Sequence, residues 1–293
     1  MGPIALGEHK DFLPIYFHNE YVAIQNDQIL SLDNEYFHLV ITLKENIAYS
    51  FKQSPFGSFF IKKPTEIETF LDFESQITQK LKQKNIKKVI IRQPPSYYPH
   101  FVMRQWLEKA DYRLKTQDVN QFITLSDHSE NNLHKMELRK LNNAERKGLL
   151  FSHDPVSSLE EIHSFIAHCR LDVGLTVNIT LDKLKNLFTA FPTSYDLYSI
   201  RQNKEILAAC VVSKPLSDIY YYYLPATHPD HKSKSPMVLL LVSLIESLKS
   251  KGARLLDLGL SSINGNKQSG LYAFKKRMGA ADTPSWVFEK EIG

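Results

Sequence analysis

The stretch IYYYYLPATHPDHKSKSPMVLLLVSLIESLKSKGARLLDLG, residues 219–259, restricts the fold more than any other part of the chain. Ile219–Ala226 is dominated by aromatic and β-branched residues, which fit a pleated surface, so it predicts a strand. Met237–Lys251 is apolar nearly all round and too long for a strand, so it predicts a buried helix. Ser235 suits the N-cap, Pro236 the first helical position, and Gly252 the stop. Ala253–Gly259 then reads as a second short strand. Strand, buried helix, strand implies a parallel pair joined by a right-handed crossover. Along the first strand Tyr220 and Tyr222 share one face, and Tyr221 and Tyr223 the other. A buried hydroxyl needs a partner, so one of these faces is expected to border a polar cleft.

The same order of elements recurs earlier. Asn46–Ser54 reads as a strand, SPFGSF (Ser54–Phe59) as a turn, and Thr65–Lys84 as a helix. That helix carries its acids early and Lys80, Lys82 and Lys84 late, matching the helix dipole. Lys87–Gln93 (strand), a break at Pro94-Pro95, a helix around Phe101–Ala110 and a strand around Gln121–Leu125 complete the unit. SPFGSF has a glycine before a helix, but the glutamates that follow would repel an anion, so it reads as a structural turn. Arg92, Tyr97 and Tyr98 lie near a strand's carboxyl end. In the later half, a strand (Gly148–His153), two helices (Ser158–Val173 and Leu181–Phe191) and a hairpin (Ser194–Arg201, Glu205–Ser213) precede Ile219. After Gly259 come a loop, a short helix within GLYAFKKRMGA (Gly270–Ala280) and a last strand, Ser285–Ile292. The two halves share architecture rather than sequence.

With 293 residues, 43% of them hydrophobic, the chain can bury two cores of ordinary size. A net charge of +4 is too small for general duplex DNA binding, though it permits a local basic patch. The two cysteines, Cys169 and Cys210, make a poor disulfide framework and suggest a reducing compartment. The N-terminus shows no signal-peptide pattern, Leu6 breaks the myristoylation pattern begun by Gly2, and the apolar run Met237–Ile245 is too short to span a bilayer. These features together predict a cytoplasmic protein. His228-x-x-His231 with Asp230 lies on a loop without a third clear ligand, so no metal site is expected; either histidine remains a possible base. There is no Ser-His-Asp spacing, Walker loop or dinucleotide fingerprint.

This order of elements resembles the GNAT (acyl-CoA N-acyltransferase) fold, and its doubling resembles the FemABX-type proteins, which carry two such domains in one chain. SPFGSF is similar to the turns of related first domains. ELRKLNNAERKGLLF (Glu137–Phe151) is similar to the interdomain segment. LDLGLSSINGNKQSGLYAFKKRMGA (Leu256–Ala280) is similar to the family's ending, with Gly-Leu-Tyr-x-Phe-Lys-x-x-x-Gly. The expected class is thus α/β (α+β), with two tandem GNAT-like domains whose mixed central sheets are flanked by helices. Residues 1–130 would form a partial N-terminal domain, 131–149 a basic linker helix and 150–293 the C-terminal domain.

The resemblance implies acyl or aminoacyl transfer to a small-molecule or peptide-like amine. The donor would be acyl-CoA or aminoacyl-tRNA, used as a substrate, with no tightly bound cofactor and no DNA partner. Acetyl-CoA enzymes of the fold usually carry a Q/R-x-x-G-x-G/A loop, whose glycines let backbone N–H groups curl around a pyrophosphate. Here HPDHKSKSPM has no glycine, which leans against a tight CoA cradle. Asp257, at a strand's carboxyl end where ligands of open α/β sheets gather, is a candidate to orient or deprotonate the amine. Tyr222 and Lys275 join it as candidate catalytic residues, Lys275 by its match to the family's Phe-Lys. Lys234, Ser235, Lys275, Lys276 and Arg277 are candidate donor-binding residues. Tyr220, Tyr222, Asn264 and Tyr272 are candidate substrate contacts, with Ser261 in the same loop as Asn264. The cations at 275–277 have a second reading, as charges that complement a helix C-terminus. A scaffold with a decayed donor site, or an RNA binder without transfer, are the rival functions.

Overall fold

A computed structural model describes residues 13–25 and 28–293. The N-terminal residues 1–12, read above for signal and lipid patterns, lie outside the described residues. The chain divides into two compact units. The first comprises Met1–Asn120, Ser262–Lys267 and Thr283–Gly293, and the second Gln121–Ser261 and Gln268–Asp282.

The elements run α1 (Asn19–Gln25), β1 (Ile29–Asp33), β2 (Phe37–Lys44), β3 (Ile47–Tyr49), β4 (Phe60–Ile61), α2 (Ile67–Gln83), β5 (Lys88–Arg92), α3 (Arg104–Lys109) and β6 (Arg113–Thr124). There follow α4 (Lys135–Arg146), β7 (Leu150–Asp154), α5 (Leu159–Leu171), α6 (Leu181–Ala190), β8 (Tyr195–Gln202), β9 (Glu205–Leu216), β10 (Ile219–Thr227) and α7 (Pro236–Ser250). The chain ends with β11 (Leu255–Leu260), β12 (Ser262–Ile263), β13 (Asn266–Lys267), α8 (Ser269–Arg277) and β14 (Ala281–Glu291).

In the first unit β1, β2 and β3 are antiparallel neighbours, β3 pairs parallel with β5, and β5 pairs antiparallel with β14. Helix α2 forms because Phe70, Phe73, Ile77 and Leu81 recur at helical spacing and are all buried, with Glu68 in its first turn and Lys80 and Lys82 in its last. These side chains join Phe37, Leu39, Ile41, Val89, Ile91 and Phe288 in one core. Two features exceed the sequence expectation. Strands β1 and β2 fill residues 29–44, and β6 begins at Arg113 rather than near Gln121. The cations that obscured the start of β6 ride on its exposed positions, where Lys115 Nζ meets Glu289 at 2.7 Å.

In the second unit β7, β8, β9 and β10 form an antiparallel run, and β10 then pairs parallel with β11. Helix α7 is the crossover between the parallel strands. Its Val238, Leu239, Leu240, Leu241, Leu244, Ile245 and Leu248 are all buried, as an all-round apolar helix requires. Gly252 follows it in the left-handed region, φ +76°. Helix α4 lies within this unit and packs against α7, burying Leu141 and Ala144 in the shared core. Helix α5 covers β8, β9 and β10. Each unit is thus a mixed sheet with helices against it.

Candidate active site

The register of β10 with β11 runs Ile219–Leu255, Tyr220–Leu256 and Tyr221–Asp257, and ends there. Both strands continue, β10 to Thr227 and β11 to Leu260. Beyond Tyr221 and Asp257 the parallel neighbours therefore part. The outer half of β10 stays bonded to β9, with a register irregularity between Tyr223 and Ala226. Leu224 in that interval takes φ +49°, and Pro225 after it has no N–H, so a bulge turns the strand at this point.

Asp257 is buried, and its Oδ1 accepts from the N–H of Gly259 at 2.8 Å. Gly259 has φ +73°, and a Cβ there would lie 2.9 Å from Tyr221 Oη. This position needs glycine both for its backbone and for the close approach of the tyrosine. Lys275 is buried and turned inward, where its Nζ donates to the carbonyls of Gly259 at 3.0 Å and Leu260 at 2.9 Å. Burial lowers its pKa to about 8, against the opposing pull of the Asp257 charge. Tyr221, Asp257, Gly259 and Lys275 thus meet where the strands part.

The other two cations of α8 have partners elsewhere. Lys276 lies 3.5 Å from Asp282, and Arg277 Nε lies 2.6 Å from Oε1 of the fully buried Glu137. Tyr272 Oη donates to Asp282 Oδ2 at 2.6 Å, and Gln121 Nε2 donates to Asp282 Oδ1 at 3.0 Å. Burial pushes the Asp282 carboxyl up, yet hydrogen bonds from Tyr272 and Gln121 and the charge of Lys276 hold it below its ordinary value. Ser261 is buried and donates to Gln121 Oε1 at 2.6 Å. Asn264 is exposed and opens the two-residue turn of the β12–β13 hairpin. It has φ +51° and Gly265 has φ +80°, as a type I′ turn requires.

The tyrosine run divides by face. Tyr220 and Tyr222 enter the core beneath α7, where Tyr222 Oη donates to Met237 Sδ at 2.7 Å. Tyr221 and Tyr223 are half-buried on the opposite face, with ring centroids 6.3 Å apart. Arg170 of α5 is half-buried within electrostatic reach of both. Tyr221 and Tyr223 stand in the sequence reading as one of the two faces that could border a cleft, and Arg170 does not figure in it. One signal was available for Arg170: positions 166, 167, 173 and 174 hold no acid, so no helical ion pair accounts for it.

The glycine-free loop before α7 folds as a 3-10 helix, Pro229–Lys234. Its N–H groups are used locally, His231 N bonding His228 O and Ser235 N bonding Lys232 O. Ser235 precedes α7 in the left-handed region, φ 58° and ψ 41°, and makes no side-chain cap bond. Lys234 Nζ donates to Gln202 Oε1 at 2.7 Å, and His231 Nε2 lies 3.1 Å from Glu205.

Residues 139–276 match the family model described as an acetyltransferase (GNAT) domain. FemX superposes with a TM-score of 0.72 at 10% identity, over 94% of this chain and 91% of that one. The chain has a GNAT-like fold of the FemX kind. L-PGS from Bacillus licheniformis is also similar, with a TM-score of 0.65 at 12% identity over 92% of this chain and 85% of its own. So is the C-terminal (DUF2156) domain of a protein assigned as a lysylphosphatidylglycerol synthetase from Agrobacterium fabrum, with a TM-score of 0.67 at 13% identity, over 92% and 86% of the two chains. No curated protein matches the sequence. Among the described residues, no helix is long and apolar enough to cross a membrane.

Proposed function

We propose that this protein transfers an acyl or aminoacyl group to an amine, with the donor carbonyl lodged where β10 and β11 part. One observation carries this reading. The parallel ladder stops at Tyr221–Asp257 while both strands run on; at the end of β11 Asp257 holds the Gly259 N–H and Lys275 the Gly259 and Leu260 carbonyls, so the backbone groups of β10 that face away from β9 beyond Tyr221 are the ones offered to a ligand. Transfer requires a neutral amine, donors for the developing oxyanion and a proton for the leaving group. The groups within the second unit match those needs. Asp257 orients the amine and accepts its proton, beside its register partner Tyr221. Tyr221 is the acid nearest the gap. Lys275 holds the end of β11 in place and keeps a positive charge beside Asp257. Tyr220 and Tyr222 act here through packing, setting the strand from which Tyr221 and Tyr223 project. Lys276, Arg277 and Tyr272 act through their partners Asp282 and Glu137 in holding α8.

Aminoacyl-tRNA is the favoured donor. The loop before α7 spends its N–H groups on its own turns, so it offers little to a CoA pyrophosphate. The fold likeness to FemX and to the lysylphosphatidylglycerol synthetase domain supports the same choice. The test is a thermal-shift series with acetyl-CoA, longer acyl-CoAs and mixed aminoacyl-tRNA, followed by mass spectrometry of products with an amine panel. Stabilisation and product with aminoacyl-tRNA are expected. No shift with any donor would favour the second reading, a GNAT scaffold without transfer, which rests on that same closed loop.

A further inference from the structure

Strand β7 ends the sheet of the second unit. It pairs with β8, and among the described residues no strand lies along its other side. Backbone groups that face away from β8 therefore have no ladder there. Proteins usually guard such an edge with lysine, proline, a bulge or a cover. The strand Leu150–Asp154, LFSHD, holds neither lysine nor proline, and its register with β8 runs unbroken from Leu150–Arg201 to Asp154–Leu197. Leu150 is 68% exposed, and Val156 just past the strand is 59% exposed.

The two faces and the two ends of β7 differ. Phe151 and His153 stack on Tyr198, with ring centroids 5.6 and 4.8 Å from it. Leu150, Ser152 and Asp154 take the α5 face, where Asp154 accepts from Ser199 Oγ at 2.6 Å and from Ser152 Oγ at 3.1 Å. Pro155 stays extended, φ −69° and ψ 159°, so Val156 continues the line of the strand. Val156 forms the rim of a groove of about 400 Å³ that also contains the buried Leu159 and Phe188. Charge is divided by end: Arg146 and Lys147 precede the strand, while Glu160 and Glu161 follow it in the first turn of α5.

We propose that β7 is a dimerisation edge, paired antiparallel with β7 of a second copy of this chain about a two-fold axis at Ser152. That axis pairs all five residues of the strand. It sets Leu150 opposite Asp154, Phe151 opposite His153 and Ser152 opposite itself. Each Leu150 then lies one diagonal step from Val156 of the other copy, within reach of a leucine side chain. The two exposed apolar groups cover each other at the rim of the groove. On the other face, Phe151 against His153 carries the Tyr198 stack across the junction. The basic end of each strand meets the acidic end of the other, Lys147 toward Glu160, whereas parallel pairing would set like ends together. The choice of a second copy rests on this self-complementarity: knob and rim, base and acid lie on opposite sides of one residue of the same strand. Because β8 and β9 stand between β7 and β10, the pairing leaves the gap at β10 and β11 open and is independent of the transfer reading.

Sedimentation velocity of the full chain over a concentration series tests the association. A reversible dimer is expected, and Leu150→Lys should raise its dissociation constant about tenfold or more. The urea midpoint of that variant, measured at a concentration where the wild type is monomeric, should not move, since Leu150 is exposed. Cross-linking reads the register. Ser152→Cys should form an intermolecular disulfide under mild oxidation, because identical residues on the axis have Cα atoms about 5 Å apart. Leu150→Cys should not, since its two copies lie four positions apart along the ladder, about 13 Å. Cys169 and Cys210 are buried and add no background. A monomer throughout the series overturns the proposal and leaves the edge to a strand of another protein. A dimer that Leu150→Lys leaves unweakened, or that Ser152→Cys fails to lock, overturns it equally.

Discussion

Each unit contains one parallel strand pair, and the two pairs end differently. In the first unit the ladder of β3 and β5 runs through Tyr49–Ile90 and is then closed by the chain itself. Ser50 N bonds Ile90 O, Gly57 N bonds Arg92 O at 2.9 Å, and Ser50 Oγ donates to Gly57 O. The SPFGSF turn folds back along the edge of β5 and takes up its free backbone groups. Among the described residues of the second unit, no backbone turn bonds back onto β11 in this way after Tyr221–Asp257. A bulge at Leu224 turns β10 aside, and a side chain, Lys275, caps the carbonyls at the end of β11. The same ladder geometry thus gives a sealed seam or an open one, according to whether the next turn supplies backbone donors.

The comparison can be broken most severely at Gly57. A Cβ there would lie 1.6 Å from Ser50 O, a backbone atom that cannot swing away. Gly57→Ala should cost about 3 kcal/mol in urea unfolding, at the upper end of overpacking effects. An unchanged midpoint would mean that the seam is not closed in this way. Next in size is Arg277→Met, which removes one of the two cations beside the fully buried Glu137 and leaves Lys140 at 3.0 Å. It should cost about 2 kcal/mol, less than a buried carboxylate left with no partner, and leave donor KM unchanged. A raised KM at unchanged stability would instead place Arg277 with the donor.

How much of this was readable beforehand depended on what each residue type signals. Helix α7 was legible because a long apolar run closed by Gly252 has few alternatives, and the tyrosine run was legible as a strand. Which tyrosine face would be dry was not legible. Alternation separates the faces but does not rank them; the apolar α7 covering Tyr220 and Tyr222 decides that. The inward turn of Lys275 was hidden for a similar reason. Lysine is rarely buried, and only the kink at Gly259 shows that two carbonyls await it. Asn264 stands in the sequence reading as a candidate substrate contact, although the Asn264-Gly265 pair is the stronger signal of a two-residue hairpin turn.

Gly259→Ala should be milder than Gly57→Ala, about 1.5 kcal/mol from its left-handed backbone. The contact there is the flexible tip of Tyr221, so Tyr221→Phe in the same chain should restore part of the loss. Failure of that rescue would separate Gly259 from Tyr221. A pH series sharpens the same corner. Lys275 has a pKa of about 8 when folded against 10.5 when unfolded. Between those values the unfolded chain binds more protons, so this group makes stability rise with pH through that window. Wild type should therefore gain stability relative to Lys275→Met from about pH 8 to 10.5; a flat difference would mean that its ammonium is solvated. The smallest effect is expected at Ser235, whose φ of 58° favours glycine. Ser235→Gly should raise stability by about 0.5 kcal/mol.

The central claim is that a donor enters the unsealed seam of the second unit. Hydrogen–deuterium exchange with and without saturating donor, across acetyl-CoA, palmitoyl-CoA and mixed aminoacyl-tRNA, reads it directly. The account predicts that at least one donor slows exchange in peptides covering residues 222–227 and 258–260, while residues 50–57 of the sealed seam stay unchanged. Protection confined to other segments when a donor binds would contradict it.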